Sequence, residues 1–121
     1  MIAKAKKDGW LGEVLVARYY RDAGYQLLDA NFRTSVGEVD IIVYQGDTLV
    51  FCEVKTRHPS ATLSPKEAVD EYKQKRMVAA AAIYQKIIGY EGKIRLDVAE
   101  VNLCAPLGKQ VHIIEQAFDV N

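Results

Sequence analysis

Residues 37–57 read GEVDIIVYQGDTLVFCEVKTR and carry the clearest strand pattern in the chain. Two alternating runs flank Gly46-Asp47, a pair of residues typical of a tight β-hairpin. If these two residues form the loop, Gln45 faces Thr48. Each step back along the first strand then matches a step forward along the second. The segment therefore predicts two antiparallel strands in a fixed register.

This register places four charged side chains on one side of the hairpin. Asp40 lies opposite Glu53, and Glu38 lies opposite Lys55. Facing residues share a side of a sheet, so all four project together. The other side is predicted to be buried and carries Val39, Ile41 and Val43 against Val50, Cys52 and Val54.

The facing carboxylates of Asp40 and Glu53 need a compensating partner. Facing Cβ atoms lie roughly 5 Å apart, where two negative charges repel. A divalent cation, a shared proton or nearby Lys and Arg side chains can offset this repulsion. Mg²⁺ or Mn²⁺ suits two carboxylates and waters, and Lys55 can then orient an attacking water. The alternative is an exposed face with a plain Glu38–Lys55 ion pair, but the apolar Phe51 on the same face disfavours it.

The rest of the chain predicts two helices and three further strands. The sequence SPKE at 64–67 is typical of a capped helix start, and the alanine run 79–82 suits close packing on a sheet. The predicted elements are helix 8–23, strands 25–34, 38–44 and 48–56, helix 64–88, and strands 93–101 and 110–114. This order, αβββαββ, predicts an α/β fold in which one mixed sheet of about five strands is flanked by two main helices. A single domain over residues 1–121 is expected.

Composition narrows the function classes. The 16 basic and 16 acidic residues give zero net charge, which argues against a protein that coats nucleic acid but allows a local basic patch. The two cysteines lack zinc-ligand spacing, and Cys52 is predicted to be a small buried hydrophobe. No apolar run approaches a membrane span, and no signal-peptide pattern follows the basic N-terminus. A cytoplasmic protein is therefore expected.

Two of these segments resemble a known signature. Residues 37–40, GEVD, followed by residues 51–57, FCEVKTR, resemble the PD-(D/E)XK nuclease signature, with Val39 where proline often precedes the aspartate. More closely, nearly the whole chain resembles the YraN family of uncharacterised bacterial proteins, which is similar to archaeal Holliday-junction resolvases. The other matching markers are Gly12-Glu13, Asn31-Phe32-Arg33, Lys73 with Arg76, and Arg95-Leu96-Asp97-Val98.

The resemblance implies a restriction-endonuclease-like core with a Mg²⁺ or Mn²⁺ site. It implies that Asp40 and Glu53 hold the metal and that Lys55 is the catalytic lysine. In the mechanism expected from this site, the Val54 carbonyl is a further candidate ligand. In resolvase-like enzymes a first-helix glutamate also contributes, which implicates Glu13 in the metal and catalytic site. An ordinary surface glutamate on an amphipathic helix is the alternative for Glu13.

Three basic residues are candidates for nucleic-acid contacts. Arg57 flanks the loop after the hairpin, and Lys73 and Arg76 interrupt a helical apolar stripe. Alternatively, the stems of the two helical residues lie at the edge of the stripe with their charges in water. The stripe is made of Val69, Tyr72, Ala80, Ile83 and Ile87.

The resulting hypothesis is a Mg²⁺-dependent endonuclease that acts on DNA, with branched or damaged structures as candidate substrates. The alternatives are a nucleic-acid-binding module with the nuclease fold but little catalytic activity, and an interaction protein with a merely charged hairpin. Because resolvase-like enzymes that cut two strands generally act as symmetric dimers, a homodimer is expected. Arg95 and Asp97, on the same side of a strand, are predicted to form a structural ion pair.

Overall fold

The computed structural model describes residues 4–57 and 71–120 of the chain. Two helices and five strands follow one another in the predicted order αβββαββ, which confirms the α/β class. The predicted start of the second helix at Ser64 lies outside the described residues. The elements are α1 (Lys4–Asp22), β1 (Gln26–Arg33), β2 (Glu38–Gln45), β3 (Thr48–Arg57), α2 (Glu71–Ile88), β4 (Lys93–Asn102) and β5 (Val111–Ile114).

The strands form one mixed sheet in the order β1-β2-β3-β4-β5. Only β3 and β4 are parallel, and α2 lies between them in the chain, as a parallel crossover requires. The predicted hairpin register is confirmed from Gln45, which faces Thr48, to Ile41, which faces Cys52.

A hydrophobic cluster lies on each face of the sheet. The buried cluster beneath α2 consists of Val39, Ile42, Leu49, Phe51, Met77, Ala80, Ala81, Tyr84 and Leu96. The buried cluster beneath α1 consists of Val16, Tyr20, Ile41, Val43, Val50, Cys52, Ala99 and Val101. Cys52 is buried as predicted, and two members of the alanine run pack against the sheet. Within the described residues, neither helix is long and apolar enough to cross a membrane.

The prediction that Val39 shares a face with Ile41 is wrong. Val39 belongs to the cluster beneath α2, whereas Ile41 belongs to the cluster beneath α1. The pairing of β2 with β3 ends at Ile41, and beyond it β2 remains paired with β1. Asn31 of β1, which lies between the pairing partners of Ile41 and Val39, has a left-handed φ of 55°, so the strand geometry is irregular at this point.

The predicted helix stripes are also partly wrong. Tyr72 and Ile87 were assigned to the inward stripe of the second helix, but their exposed fractions are 69% and 67%; in the first helix Trp10, at helical spacing with Val14 and Ala17, is likewise 64% exposed. The residues of α2 that are buried against the sheet instead lie along the side of the helix that contains Met77. Tyr72 precedes Met77 by five residues, which is about 140° around an α-helix. Its ring therefore points away from the line that faces the sheet.

A buried charge network joins α1 to the sheet. Asp97, in β4, is fully buried, and Arg95 Nε donates a hydrogen bond to its Oδ1 across 2.9 Å, which confirms the predicted ion pair. The Tyr20 hydroxyl donates to Asp97 Oδ2 across 2.8 Å. Because each oxygen of the buried carboxylate has partners, the network holds α1 against β4 without leaving the charge uncompensated.

Two glycines allow the helices to approach the sheet closely. A Cβ at Gly37, just before β2, would overlap the backbone carbonyl of Arg76 in α2. A Cβ at Gly12 in α1 would overlap the Thr56 hydroxyl in β3. Both contacts lie toward the same end of the hairpin, and only a residue without a side chain permits them.

We expect Gly37→Ala to destabilise the protein because its new methyl group meets backbone rather than a flexible side chain. Overpacking of this kind costs roughly 1–3 kcal/mol, to be measured by urea denaturation. Gly9→Ala is the matched control, since a Cβ at Gly9 in α1 meets nothing within 4 Å. The control should be neutral or slightly stabilising. Equal stability of the two variants would contradict the close approach of α2 at Gly37.

Candidate active site

Asp40 marks the point where β2 and β3 separate. The backbone pairing with β3 stops at Ile41, the residue after Asp40, and the Val54 amide instead donates a hydrogen bond to Asp40 Oδ2 across 2.8 Å. A side-chain carboxylate thus takes the place of a backbone acceptor. The Glu53 carboxylate lies close enough for its charge to raise the pKa of Asp40. The two carboxyl groups are therefore neighbours, although no regular strand pair joins their backbones.

The pKa of the Asp40 carboxyl group is strongly shifted by its surroundings. Burial, together with the charge of Glu53, raises the pKa of Asp40 to about 8, against the opposing effect of the Val54 hydrogen bond. Without a cation, the protonated form of Asp40 is therefore favoured to a higher pH than for an ordinary aspartate. Of the compensators that the sequence left open, a proton is one that this geometry favours.

Lys55 provides the second compensator. Its Nζ lies 3.1 Å from Glu53 Oε1, and the two side chains are only 20% and 15% exposed. Burial alone lowers the pKa of Lys55, but the hydrogen bond with the Lys73 side chain and the neighbouring carboxyl groups of Glu53 and Asp40 together outweigh it, and the net shift is upward. The ammonium therefore stays charged and is held at the carboxylates.

Glu13 brings a third carboxylate to this cluster from α1. Its Oε1 is buried and has no hydrogen-bond partner among the described residues. Burial raises the pKa of Glu13, as do Glu53 and Glu38, although the side chain of Asn31 favours the ionised form. A buried oxygen without a partner is costly unless a proton or a cation satisfies it.

The donor set fits a hard cation that keeps part of its water shell. Within residues 4–57 and 71–120, no three His, Cys, Asp or Glu side chains converge closely enough to hold a metal by themselves. Mg²⁺ usually binds one or two carboxylates and retains several waters. Asp40 and Glu53 supply two carboxylates, and the Val54 carbonyl is the adjacent backbone oxygen. The nearby Glu13 oxygen, which has no hydrogen-bond partner among the described residues, could accept a hydrogen bond from a water bound to the cation.

Basic side chains line the cavity beside the carboxylates. A cavity of about 280 Å³ is bounded by Glu38, Glu53, Lys55, Tyr72, Lys73 and Arg76. The structure therefore brings two of the three predicted nucleic-acid-binding residues, Lys73 and Arg76, to the same cavity as Glu53 and Lys55. The third, Arg57, lies away from this lining, and its guanidinium contacts the Glu100 carboxylate across 3.2 Å.

Two residues of the site were missed by the sequence analysis. Asn31 was considered only as part of the family resemblance, yet its side chain acts to lower the pKa of the Glu13 carboxyl group. Its left-handed backbone follows from no feature of the strand pattern, although asparagine tolerates it better than most residues. Tyr72 was assigned to the apolar stripe, because helical periodicity alone does not distinguish a buried ring from one at the stripe's edge.

The fold and the site define a small α/β protein with an acidic cluster and an adjoining basic cavity. The model of the uncharacterised protein family UPF0102 matches residues 12–101, and the chain belongs to this family, which confirms the YraN resemblance. UPF0102 proteins of similar sequence occur in Alkaliphilus oremlandii, at 43% identity over 93% of this chain and 98% of that protein. Those of Alkaliphilus metalliredigens and Clostridium perfringens are 40% and 38% identical, over 94% and 95% of this chain and 99% and 96% of the relatives.

We expect the metal-free protein to lose stability as the pH rises toward 8, measured as Tm in EDTA. The folded-state pKa of Asp40, about 8, exceeds its ordinary value of 3.8. The stability that the bound proton contributes is therefore complete below pH 3.8 and decreases as the pH rises to about 8. Asp40→Asn cannot ionise and can still accept from Val54. It should therefore flatten the Tm profile and match or exceed the parent at pH 8.

Asp22→Asn is the control for this experiment. Asp22 is an exposed carboxylate, 69% accessible, in a surface pair with Arg21. Such pairs contribute little to stability, so the control should keep the pH profile of the parent. Parallel profiles for the parent and Asp40→Asn would contradict the raised pKa of Asp40.

Proposed function

We propose that this protein is a Mg²⁺- or Mn²⁺-dependent endonuclease that hydrolyses phosphodiester bonds in DNA, with branched or damaged structures as candidate substrates. The observation that carries the proposal is the cluster of Asp40, Glu53 and Lys55 beside a cavity lined by basic side chains. Family membership adds the resemblance of these residues to a nuclease signature. Family membership does not identify the substrate.

Each residue has a distinct role in the proposed reaction. Asp40, Glu53 and the Val54 carbonyl would hold the divalent cation, with Glu13 completing the acidic cluster. A cation bound there supplies Lewis-acid polarisation of the scissile phosphate and neutralises developing charge. Lys55 orients the attacking water and stabilises the negative charge on the transferring phosphoryl group.

The contact between Lys55 and Glu53 supports this role for the lysine. The 3.1 Å ion pair fixes the ammonium at the edge of the carboxylate cluster, where a scissile phosphate would face both groups. Lys73 and Arg76 line the same cavity and would hold neighbouring phosphates. The proposed phosphate contact of Arg57 would require its guanidinium to share or leave Glu100.

A second candidate function is nucleic-acid binding with little cleavage. The absence of three converging ligand side chains in the described part of the chain favours this alternative, because the basic cavity would function without a metal. The homodimer also stays a prediction. It accompanies the endonuclease proposal, because cleavage of two strands by a domain of this size needs two active sites.

A panel of linear, branched and single-stranded DNA with Mg²⁺ and Mn²⁺ identifies a substrate, and Lys55→Ala then tests the mechanism. If Lys55 acts in the transition state, the single-turnover cleavage rate of the Lys55→Ala variant should fall by a factor of about 10² or more, with little change in substrate affinity. Lys55→Arg should not restore the rate, because a planar guanidinium does not reproduce a compact ammonium.

Lys86→Ala is the matched control, since Lys86 is an exposed lysine near the other end of α2. It should cleave at the rate of the parent. Near-parent cleavage by Lys55→Ala would contradict the assigned active site. Failure of the parent to cleave any substrate would favour the binding module.

A further inference from the structure

The aromatic ring of Tyr72 lies at the candidate active site, although nothing so far gives it a role. It projects from the described start of α2 and lines the same cavity as Glu53 and Lys55. Its exposed fraction of 69% is the largest among the aromatic residues of the described chain. The ring is therefore accessible to a ligand that occupies this cavity.

The ring is flanked by cationic side chains. The Arg76 guanidinium carbon lies 5.8 Å from the centre of the Tyr72 ring, within the range of a cation–π contact. Arg76 follows Tyr72 by four residues, so the two side chains lie on the same side of α2. Lys73 and Lys55 also line the cavity. An exposed aromatic face thus adjoins positive charges that suit phosphate groups.

This combination fits an unpaired nucleotide better than a base-paired one. Proteins that bind single strands combine a positive groove for the backbone with aromatic rings on which bases stack. In a duplex the faces of the bases are covered by their neighbours. Inside a duplex, a base must be unpaired or turned out of the helix before it can stack on a protein side chain.

We propose that Tyr72 is a stacking platform for an unpaired base next to the phosphate held at Lys55 and Arg76. The inference rests on the proposed function for the site, and it deepens that function by naming the substrate class. The preferred substrate is DNA that carries single-stranded or unpaired nucleotides at the cavity, rather than fully paired duplex.

The test is the binding of a dye-labelled single strand and of its duplex, measured by fluorescence anisotropy in EDTA and in Ca²⁺ so that cleavage does not interfere. Tyr72→Ala should weaken single-strand binding by roughly 5-fold or more, the range expected for the loss of one stacked base. Its affinity for the duplex should change by less than about twofold. Tyr72→Phe should bind both ligands as the parent does.

Two further variants separate stacking from other effects. Tyr72→Leu keeps an apolar side chain of similar reach but has no ring face, so it should behave as Tyr72→Ala does. Tyr19→Ala removes another exposed tyrosine, 47% accessible, that does not line this cavity, and it should leave binding unchanged. Normal Tm values for all variants exclude unfolding as the cause of any loss.

The outcomes distinguish this inference from the proposed endonuclease function. Equal losses on single strand and duplex, no loss on either, parent-like binding by Tyr72→Leu, or no DNA binding by the parent would each overturn the stacking role. Tyr72-dependent single-strand binding by a parent protein that cleaves nothing would support the platform and contradict the endonuclease. Cleavage that depends on Lys55, with binding indifferent to Tyr72, would support the endonuclease alone.

Discussion

The hydrogen bond from the Val54 amide to the Asp40 carboxylate sets the geometry of the candidate site. It spans 2.8 Å at the place where β2 and β3 stop pairing. A side chain there substitutes for a backbone acceptor, so the strands can separate without leaving the half-buried Val54 amide unsatisfied. The same bond holds Asp40 beside Glu53 in a half-buried position. The resulting repulsion raises the pKa of Asp40 and is offset by the ammonium of Lys55.

The two helices complete the site because the sheet lets them approach closely at this end. Gly12 allows α1 to pack on Thr56, which brings the neighbouring Glu13 carboxylate to the acidic cluster. Gly37 allows α2 to pack at Arg76, which places its basic and aromatic side chains along the cavity. The site therefore depends on contacts that involve three separate segments of the chain. A local motif in the hairpin supplies only its centre.

The hairpin was predictable because its period of two and its two-residue loop determine the register by counting. The counting remained valid from Gln45 to Ile41 and failed at Val39, which pairs with β1 next to the left-handed Asn31 rather than with β3. Helix orientation was harder to predict. Apolar residues such as Trp10 and Tyr72 occur at helical spacing outside the buried line, and periodicity alone does not show which line meets the sheet. Only the structure therefore shows that the side chain of Tyr72 is exposed.

The central claim is that Asp40 and Glu53 hold a divalent cation, and calorimetric titration of the metal-free protein with Mn²⁺ tests it most directly. We expect one binding event in the parent, accompanied by proton release from Asp40, which appears as a dependence of the heat on the buffer. The event should be absent in Asp40→Asn and Glu53→Gln and retained in Asp22→Asn. Unchanged Mn²⁺ binding in both site variants, with circular dichroism showing that they are folded, would contradict the assignment.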